Sequence, residues 1–548
     1  MKLNKNVLEN KEKWLEKGYR LPEFDYEEVS RVTKENPYWI HFGAGNLFKA
    51  FHAAIAQKLL NRKIVKKGII VAEGFDYEII EKNNRKYDNF SILATLKADG
   101  SVEKNVIGSV VESCILDSDN ESEFARLKEI FRNPSLQMAT FTITEKGYVL
   151  TDSKGNDLPY LVEDYKKGPV KPDSYLGKVA SLLYERYLNG ACPIAMVSTD
   201  NCAHNGNRLY NCMITFAGRW YENKLVEKEF VDYIESDKVS FPWTMIDKIT
   251  PRPDSYVEKL LKEDGIEQLE AIITSKNTYI APFVNAEETE YLVIEDDFPN
   301  GRENLEEAGV IFTDRETVEK VEKMKVCTCL NPLHTALAVT GCLLSFDKIS
   351  SEMADADLRK MVEIIGYKEG LPVVVDPGIL NPKEFIDTVI NVRFPNPFMP
   401  DTPQRIATDT SQKLAIRFGE TVKNYLADDN LDVNDLKLIP FVYACWLRYL
   451  MAVNDKGETF TLSPDPLLDS LCPIMSQIKP GDSKVEEILK PILENEKIFG
   501  VNLYKTGLDK KTLEYFIAIN REKGAIRKTL HRLVNKTNIT ENGLKDRC

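Results

Sequence analysis

The sequence predicts an α/β domain followed by a mostly α-helical one. In the first half, short runs rich in β-branched residues alternate with longer amphipathic segments, which indicates a parallel sheet covered by helices on both faces. In the second half, apolar residues recur at spacings of three and four, which is typical of helices. We place the domain boundary so that the first domain covers residues 1–312 and the second covers residues 313–548.

The predicted elements follow this division along the chain. The stretch over residues 47–60 supplies the first helix of the α/β part. Residues 291–313 are expected to cross between the halves, with Pro299, Asn300 and Gly301 as turn formers. The predicted buried strands are 38–42, 68–72, 138–144 and 193–198, and the predicted helices of the second half are 318–343, 352–369, 409–428 and 438–453.

The composition is ordinary for a soluble globular enzyme. Of the 548 residues, 43% are hydrophobic and 29% are charged, and 72 Lys and Arg against 85 Asp and Glu give a net charge of −13. A net anion lacks the positive field that attracts nucleic acid, so we expect no nucleic-acid partner. Because no run reaches about 18 apolar residues and the charged N-terminal stretch has no apolar core, we expect no membrane partner and no secretory signal.

Cysteine usage predicts a reduced, cytoplasmic protein without a bound metal. Ten cysteines in 548 residues are too dilute for a disulfide scaffold. Cys327 and Cys329 are one residue apart, and no Cys-x-x-Cys pair occurs, so structural zinc has little support.

A glycine turn follows the first predicted strand. Residues 38–42 run directly into Gly43-Ala44-Gly45, and an apolar-periodic stretch follows. In a strand–turn–helix context, Gly43 permits the tight turn and Gly45 lets a pyrophosphate approach the backbone at the helix N-terminus. The third glycine of the common dinucleotide fingerprint is replaced by Phe48, so a plain turn without a ligand remains an alternative.

The second predicted strand ends in carboxylates. Glu73 and Asp76 follow residues 68–72, where an acidic side chain can accept both ribose hydroxyls of a dinucleotide and repel a 2′-phosphate. Either residue would favour NAD over NADP. The alternative is that one of them, Asp76 above all, only caps the next helix.

Two polar clusters are the strongest candidates for chemistry. Residues 198–206 (STDNCAHNG) follow a strand at its carboxyl end, where ligands bind in open α/β sheets. Residues 325–334 (KVCTCLNPLH) offer an amine, an amide and an imidazole at the head of the helical half. Structural alternatives are a solvated surface lysine for Lys325, a turn former for Asn201 and a core histidine for His334.

Eight motifs in order resemble those of the long-chain polyol dehydrogenases, a family that includes mannitol 2-dehydrogenase, fructuronate reductase and tagaturonate reductase. The glycine motif, FGAGNLFKAF over residues 42–51, is closest to the tagaturonate reductase version. The similarity spans nearly the whole chain. The other motifs lie at 142–148 (TITEKGY), 198–201 (STDN), 241–251 (FPWTMIDKITP), 294–302 (IEDDFPNGR), 325–334, 393–397 (RFPNP) and 405–413 (RIATDTSQK).

The resemblance implies a Rossmann-like NAD-binding domain and a zinc-independent, nicotinamide-linked interconversion of a secondary alcohol and a ketone. The family's general base matches Lys325, and its two oxyanion amides match Asn201 and Asn331. The remaining matches are His334, Arg405 and Lys413 for substrate binding, and Gly43, Gly45, Asn46 and Asp247 for the cofactor. Arg405 and Lys413 could instead be salt-bridged residues on a helix surface.

These residue types suit alcohol oxidation. The hydroxyl proton must leave as the hydride moves, and a lysine accepts it only if burial or neighbouring cations lower its pKa towards the working pH. Two fixed amide N–H donors stabilise the alkoxide character that develops on the carbinol oxygen, and one such donor can contribute about 2.7–4 kcal/mol.

The spacing between Lys325 and Asn331 departs from the family pattern. Five residues separate them here, whereas the family has four. On a regular helix one extra residue rotates the lysine by roughly 100°, and a π-bulge would absorb it. Because Pro332 cannot donate a backbone hydrogen bond, we predict a bulge or broken turn near residues 328–330.

The predicted substrate is an open-chain sugar acid or polyol. We favour the D-mannonate/D-fructuronate type, since the glycine motif resembles that of the uronate reductases. Mannitol 2-dehydrogenase and tagaturonate reductase activities are the alternatives, because arginine binds diols as well as carboxylates. A non-catalytic NAD or sugar-acid binding protein is the alternative from a different class, and the oligomeric state is left open.

Overall fold

The computed structural model describes residues 1–536, which belong to two compact units. The first unit comprises Met1–Lys97 and Ser101–Glu319, and the second comprises Ala98–Gly100 and the chain from Lys320 onward. The strands are β1 (Tyr19–Arg20), β2 (Trp39–Phe42), β3 (Ile69–Glu73), β4 (Ser91–Leu96), β5 (Val102–Ile107), β6 (Val110–Ile115), β7 (Met138–Phe141), β8 (Ile194–Ser198), β9 (Val239–Ser240), β10 (Thr244–Asp247), β11 (Ile272–Ile273), β12 (Tyr279–Ile280), β13 (Phe283–Glu287), β14 (Tyr291–Glu295) and β15 (Ile311–Thr313).

The helices alternate with these strands and then continue alone. Those that begin in the first unit are α1 (Lys11–Glu16), α2 (Tyr26–Glu35), α3 (Ala53–Asn61), α4 (Glu121–Arg132), α5 (Pro159–Lys167), α6 (Tyr175–Leu188), α7 (Asn205–Glu222), α8 (Lys228–Glu235), α9 (Ser255–Glu263) and α10 (Arg315–Met324). Those of the second unit are α11 (Asn331–Leu344), α12 (Ile349–Met353), α13 (Ala356–Ile364), α14 (Pro382–Thr388), α15 (Pro403–Ile406), α16 (Glu420–Ala427), α17 (Leu438–Tyr449), α18 (Leu468–Met475), α19 (Glu486–Leu493), α20 (Glu496–Phe499), α21 (Leu503–Thr506), α22 (Leu508–Asn520) and α23 (Ala525–Lys536).

Wide π-helical turns interrupt several of these helices. They lie at Phe48–His52, Ile80–Asn84, Lys325–Cys329, Ile365–Gly370, Val389–Arg393 and Ala415–Gly419.

Six parallel strands form the main sheet of the first unit in the spatial order β6-β3-β2-β7-β8-β9. Numbered along the chain within this sheet, the order is 3-2-1-4-5-6, which is the Rossmann arrangement. The direction of progression reverses between β2 and β7. The carboxyl ends of these two strands therefore flank the position where ligands bind in such sheets.

Helices cover both faces of the main sheet. Ile40 and Phe42 of β2 belong to a buried core built with residues of α4, α6 and α7. His41 points to the opposite face, because side chains alternate along a strand, and its ring stacks on Phe48 with centroids 4.7 Å apart. The predicted parallel sheet with helices on both faces is confirmed.

Three smaller sheets accompany the main sheet in the described part of the first unit, in the orders β1-β5-β4-β13, β10-β14-β15 and β11-β12.

The prediction that residues 291–313 cross between the halves is wrong. This stretch contains β14 and β15, and β14 pairs antiparallel with β10 and parallel with β15. The apolar centre of β14, Leu292–Ile294, is buried, so its sheet pairing prevails over the turn residues that follow it.

The described part of the second unit is mostly helical, as predicted, but three predicted helices are interrupted, and the first of them, 318–343, breaks at Leu330. The 352–369 stretch breaks because the Asp355 side chain accepts hydrogen bonds from two backbone N–H groups and caps α13. The 409–428 stretch begins as a loop instead of a helix. Asp409 has a φ of 54°, and the Asp465 carboxylate binds both the backbone N–H and the hydroxyl of Ser411.

The helical stretch Arg315–Leu344 is long and apolar enough to cross a membrane by composition alone. However, 78% of its most apolar window is buried inside the protein, as in the core helix of a soluble protein.

Candidate active site

The glycine turn after β2 requires its first glycine. Gly43 has a φ of +113°, and a Cβ at this position would lie 2.4 Å from the Thr142 carbonyl oxygen. Its backbone N–H donates a 2.8 Å hydrogen bond to the Ala72 carbonyl. The turn is therefore packed between the ends of β3 and β7, where no side chain fits.

The second glycine of the turn faces open space. Gly45 is exposed, and a Cβ built on it would meet nothing within 4 Å. Helical backbone begins at Asn46, so this space adjoins the first turn of a helix, whose N–H groups have no intrahelical partner. An approachable backbone at a helix N-terminus fits the pyrophosphate of a dinucleotide. Phe48, in the place of the usual third glycine, is fully buried.

Glu73, at the end of β3, is bound to the glycine turn. Its Oε2 accepts a 2.8 Å hydrogen bond from the Ala44 N–H, and its Oε1 accepts hydrogen bonds from the Phe75 and Asp76 N–H groups at 2.8 and 3.1 Å. Burial raises the pKa of Glu73, whereas these N–H groups lower it. Glu73 therefore fixes the turn in addition to placing a carboxylate beside it.

Asp76 keeps one carboxylate oxygen without a partner. The residue is 2% exposed, and its Oδ2 accepts a 2.5 Å hydrogen bond from the Thr274 hydroxyl. Its buried Oδ1 has no hydrogen-bond partner among residues 1–536. Asp76 also lines a cavity of about 560 Å³ beyond the end of β3, together with Phe75, Tyr77, Glu78, Tyr175, Lys178 and Lys276. A buried acceptor beside a cavity fits a ribose hydroxyl.

The carboxyl ends of β7 and β8 are joined by Asp200. Its Oδ2 accepts hydrogen bonds from the Ile143 N–H at 3.0 Å and the Tyr148 hydroxyl at 2.7 Å, and its Oδ1 accepts one from the Thr144 N–H at 2.7 Å. These bonds end β7 at Phe141, three residues before the predicted end of the strand. Thr144 has φ 65° and ψ 158°, a strained conformation for a residue with a side chain.

Asn201 directly follows Asp200 and is exposed. Asp247 ends β10 and is 7% exposed, opposite Tyr291 of β14. The sequence reasoning did not assign a role to Asp200. The motifs TITEKGY and STDN were the available signal for its role, since the Asp200 carboxylate of the second motif accepts hydrogen bonds from the first.

In the second unit, the predicted irregularity after Lys325 is confirmed. Lys325–Cys329 is a π-helical segment, and Leu330 then leaves helical geometry with φ −125° and ψ −62°. The Leu330 N–H bonds to the Lys325 carbonyl at 3.1 Å, and α11 begins at Asn331 with Pro332 in its first turn. Lys325 is 4% exposed and Asn331 is partly exposed.

His334 has an open hydrogen-bonding position. Its Nε2 lies 3.4 Å from Asp401 Oδ2, yet it is buried and has no hydrogen-bond partner among residues 1–536. Burial lowers the pKa of His334 to about 4; Asp401 opposes this shift, and Arg417, Arg405 and Arg393 add to it. The imidazole is therefore neutral at ordinary pH and can both donate and accept.

Arg405 and Lys413 lie in the same motif but not on one helix. Arg405, in α15, is 58% exposed and forms an ion pair with Asp401. Lys413 follows the 3₁₀ turn Thr410–Gln412 and donates to the Thr408 carbonyl. Burial lowers the pKa of Lys413, and the charge of Arg417 lowers it further. The second unit therefore brings His334, Arg405 and Lys413 to one cationic cluster, to which Arg417 belongs although the sequence reasoning missed it.

Metal-ligand chemistry has no matching donor set here. Within residues 1–536, no three His, Cys, Asp or Glu side chains are grouped as metal ligands would be.

Two family models match this chain, the mannitol dehydrogenase Rossmann domain over residues 38–307 and the mannitol dehydrogenase C-terminal domain over residues 317–513. The chain belongs to the mannitol dehydrogenase family. It is an oxidoreductase that acts on CH–OH groups, and the family predicted from the motifs is confirmed.

Two curated relatives of this chain differ in their sequence identity to it and in the activity that their names give. The D-mannonate oxidoreductase of Thermotoga maritima is 52% identical over 539 residues, which cover 98% of this chain and 99% of that protein. The polyol:NADP oxidoreductase of Gluconobacter oxydans is 28% identical over 436 residues, which cover 78% of this chain and 83% of that protein.

Two solved dehydrogenase structures share the fold of this chain. A D-sorbitol dehydrogenase in substrate-free form has a TM-score of 0.77 at 24% identity, covering 93% of this chain and 97% of that one. The Pseudomonas fluorescens mannitol 2-dehydrogenase, solved with NAD and D-mannitol, has a TM-score of 0.68 at 24% identity, covering 98% and 100%. The predicted Rossmann-like domain followed by a helical one is confirmed.

Proposed function

We propose that this protein is a cytoplasmic, NAD-dependent and zinc-independent oxidoreductase that interconverts the secondary alcohol of D-mannonate and the ketone of D-fructuronate. The observation that carries the proposal is the 52% identity to the Thermotoga maritima D-mannonate oxidoreductase over nearly the whole of both chains. The cationic cluster around His334 supports an anionic substrate, because a carboxylate gains most from several positive charges.

For the cofactor, we propose that Gly43, Gly45 and Asn46 hold the pyrophosphate, and that Glu73 and Asp76 lie at the ribose. Asp76, whose Oδ1 has no hydrogen-bond partner among residues 1–536, lines the adjoining cavity, where the four carboxylates of Asp76, Glu78, Glu81 and Asp173 outnumber the two cations Lys178 and Lys276. A 2′-phosphate would be repelled there, which favours NAD over NADP. When bound, NAD supplies the hydride chemistry, and Asp247 is proposed to face the nicotinamide.

For the proton, we propose that Lys325 of the second domain, taken as residues 313–548, acts as general base in oxidation and general acid in reduction. Asn201 of the first domain, residues 1–312, and Asn331 of the second would donate N–H groups to the carbinol oxygen. His334, Arg405 and Lys413 would hold the remaining substrate groups. Burial of Lys325, at 4% exposure, keeps water from the proton-transfer position.

The test is a panel of fructuronate, tagaturonate and fructose assayed with NADH and NADPH side by side. We expect fructuronate with NADH to have the highest kcat/KM, and Lys325→Ala to lower kcat roughly 10²–10⁴-fold. Lys323→Ala, an exposed lysine on α10, is the matched control. Preference for fructose would indicate a mannitol 2-dehydrogenase, and preference for tagaturonate a tagaturonate reductase. NADH binding without turnover of any ketose would indicate a non-catalytic binding protein.

A further inference from the structure

Arg417 is a cation of the His334 cluster for which residues 1–536 provide no carboxylate partner. It lies in the π segment Ala415–Gly419, four residues after Lys413, and its backbone N–H donates a 2.9 Å hydrogen bond to the Lys413 carbonyl. Its guanidinium donates a 2.5 Å hydrogen bond to the Thr335 hydroxyl. No carboxylate within residues 1–536 forms an ion pair with it.

Two other cations of the cluster, Arg405 and Lys413, are influenced by carboxylates. Arg405 is paired with Asp401, and the charges of Asp409 and Asp465 act on Lys413. Arg393 is 4% exposed and interacts with other residues of the protein. The Arg417 guanidinium, in contrast, bonds to a neutral hydroxyl.

The surroundings of Arg417 favour the arrival of an anion. Burial lowers the pKa of Arg417 to about 10, and its charge in turn lowers the pKa of both His334 and Lys413. A partly buried cation without a counter-charge costs free energy that a bound anion recovers. The side chain remains partly exposed, so a ligand can reach it.

The Thr335 hydroxyl connects Arg417 to the proposed catalytic helix. Thr335 lies in α11 one residue after His334, and its hydroxyl also donates a 2.9 Å hydrogen bond to the Asn331 carbonyl. The guanidinium is thereby held beside two residues that are proposed to contact the substrate. Holding one edge of the planar guanidinium leaves its other N–H groups available for a bidentate partner.

We propose that Arg417 binds the carboxylate of the substrate and selects sugar acids over neutral polyols. This inference rests on the proposed function, since it assigns one residue of that site to the group that distinguishes a uronate from a ketose. A bidentate guanidinium–carboxylate pair supplies both the charge and the geometry that a terminal hydroxymethyl group cannot match.

The test compares Arg417→Gln and Arg417→Lys with wild type on fructuronate and fructose, which differ in one terminal group. We expect Arg417→Gln to lower kcat/KM for fructuronate about 100-fold, mainly through KM, and to leave fructose within about twofold. Arg417→Lys should retain part of the preference, because it keeps the charge and loses the bidentate geometry. Arg521→Gln, an exposed arginine of the same unit, is the matched control.

Binding of mannonate and mannitol, measured by calorimetry, separates this inference from the proposed function. If wild type fails to reduce fructuronate but Arg417→Gln selectively weakens mannonate binding, the proposed function is wrong and the Arg417 assignment stands. If wild type prefers fructuronate and the variant keeps that preference, the Arg417 assignment is wrong. An equal loss for both substrates and both ligands would indicate a structural role and would also overturn it. Should Arg417→Gln not fold, Arg417→Lys supplies the same comparison.

Discussion

The Asp200 Oδ1 atom accepts a 2.7 Å hydrogen bond from the backbone N–H of Thr144, a residue with a positive φ of 65°. The same carboxylate binds Ile143 and Tyr148, so it fixes the backbone that follows β7. Strained backbone persists only where its surroundings hold it, and here a single carboxylate accepts all three hydrogen bonds. Asp200 is thus a positioning residue beside the proposed oxyanion amide Asn201.

Replacing Asp200 by Asn is expected to lower kcat about 100-fold, because an Asn turns an NH₂ group towards at least one of three donors and displaces the segment. Steady-state kinetics with protiated and deuterated NADH would measure this, and a larger isotope effect on kcat is expected. Tyr148→Phe, which removes one donor and keeps the carboxylate, is the control. If Asp200→Asn reduces only the fraction of active enzyme, with KM and the isotope effect unchanged, the positioning role is refuted.

Gly43 and Gly45 are expected to respond differently to alanine. Gly45→Ala should keep wild-type stability, since its Cβ meets nothing, but should raise the Kd for NADH about tenfold or more because the methyl group enters the proposed pyrophosphate path. Gly43→Ala should lower the free energy of unfolding by at least about 1–3 kcal/mol, given its positive φ and the clash with Thr142. Urea unfolding and NADH fluorescence titration measure the two quantities. Equal effects of both substitutions on the free energy of unfolding would contradict the assignment of a conformational role to Gly43 and a cofactor-binding role to Gly45.

Glu352 is a buried carboxyl group whose two oxygens have no hydrogen-bond partner within residues 1–536. Burial raises its pKa well above 4.5, and Asp355 adds to the shift. Above pH 4.5 the unfolded chain releases this proton while the folded protein keeps it, so the stability from this group falls as pH rises, by at most about 1.4 kcal/mol per pH unit. Glu352→Gln should therefore flatten the decline in unfolding free energy between about pH 5 and pH 8. Identical pH slopes for variant and wild type would argue against a protonated Glu352.

Gly341 makes room for the Glu352 side chain, because a Cβ on Gly341 would lie 2.1 Å from Glu352 Oε1. Gly341→Ala should destabilise the protein by about 1–3 kcal/mol through overpacking. The double variant Gly341→Ala/Glu352→Ala should recover part of this loss, which a double-mutant cycle by urea unfolding would measure. Strict additivity would show that the two positions do not interact.

His334 is expected to stay neutral throughout the working pH range, since burial lowers its pKa to about 4. His334→Asn should therefore weaken substrate binding without changing the shape of the kcat/KM profile between about pH 5 and pH 8. The contribution of His334 to folding stability changes with pH in the opposite direction to that of Glu352. As pH falls from 6.5 to about 4, His334 becomes protonated in the unfolded chain but stays neutral in the folded protein. The free energy of unfolding therefore falls on acidification. A kcat/KM break near pH 6.5 that disappears in the variant would disprove neutrality.

The sequence was informative where function and local conformation coincide. Gly43 is predictable because only glycine tolerates its φ beside Thr142, and the irregularity after Lys325 is predictable because Pro332 and one surplus residue are incompatible with a regular helix. The positive φ of Gly43 and the break near Pro332 are set by local backbone conformation, so the nearby sequence indicates them.

Features that depend on distant partners were not predictable. The loop at Asp409 is pinned by Asp465, more than fifty residues away, so helical periodicity over 409–428 was misleading. The role proposed for Arg417 depends on its bonding to the Thr335 hydroxyl and not to a carboxylate. Its spacing from Lys413 in the sequence does not indicate this. Within 291–313, β14 similarly depends on pairing with β10, and β15 pairs with β14.

The widened ring at Lys325–Cys329 makes this helix tolerant to a change in chain length. A π-helical turn can absorb one surplus residue locally. Removing one codon between 326 and 330 would tighten the ring to an ordinary turn and bring the segment back to the shorter family spacing. An extra residue after Lys325 is thus accommodated by the π-helical turn and by the break at Leu330, and α11 begins anew at Asn331.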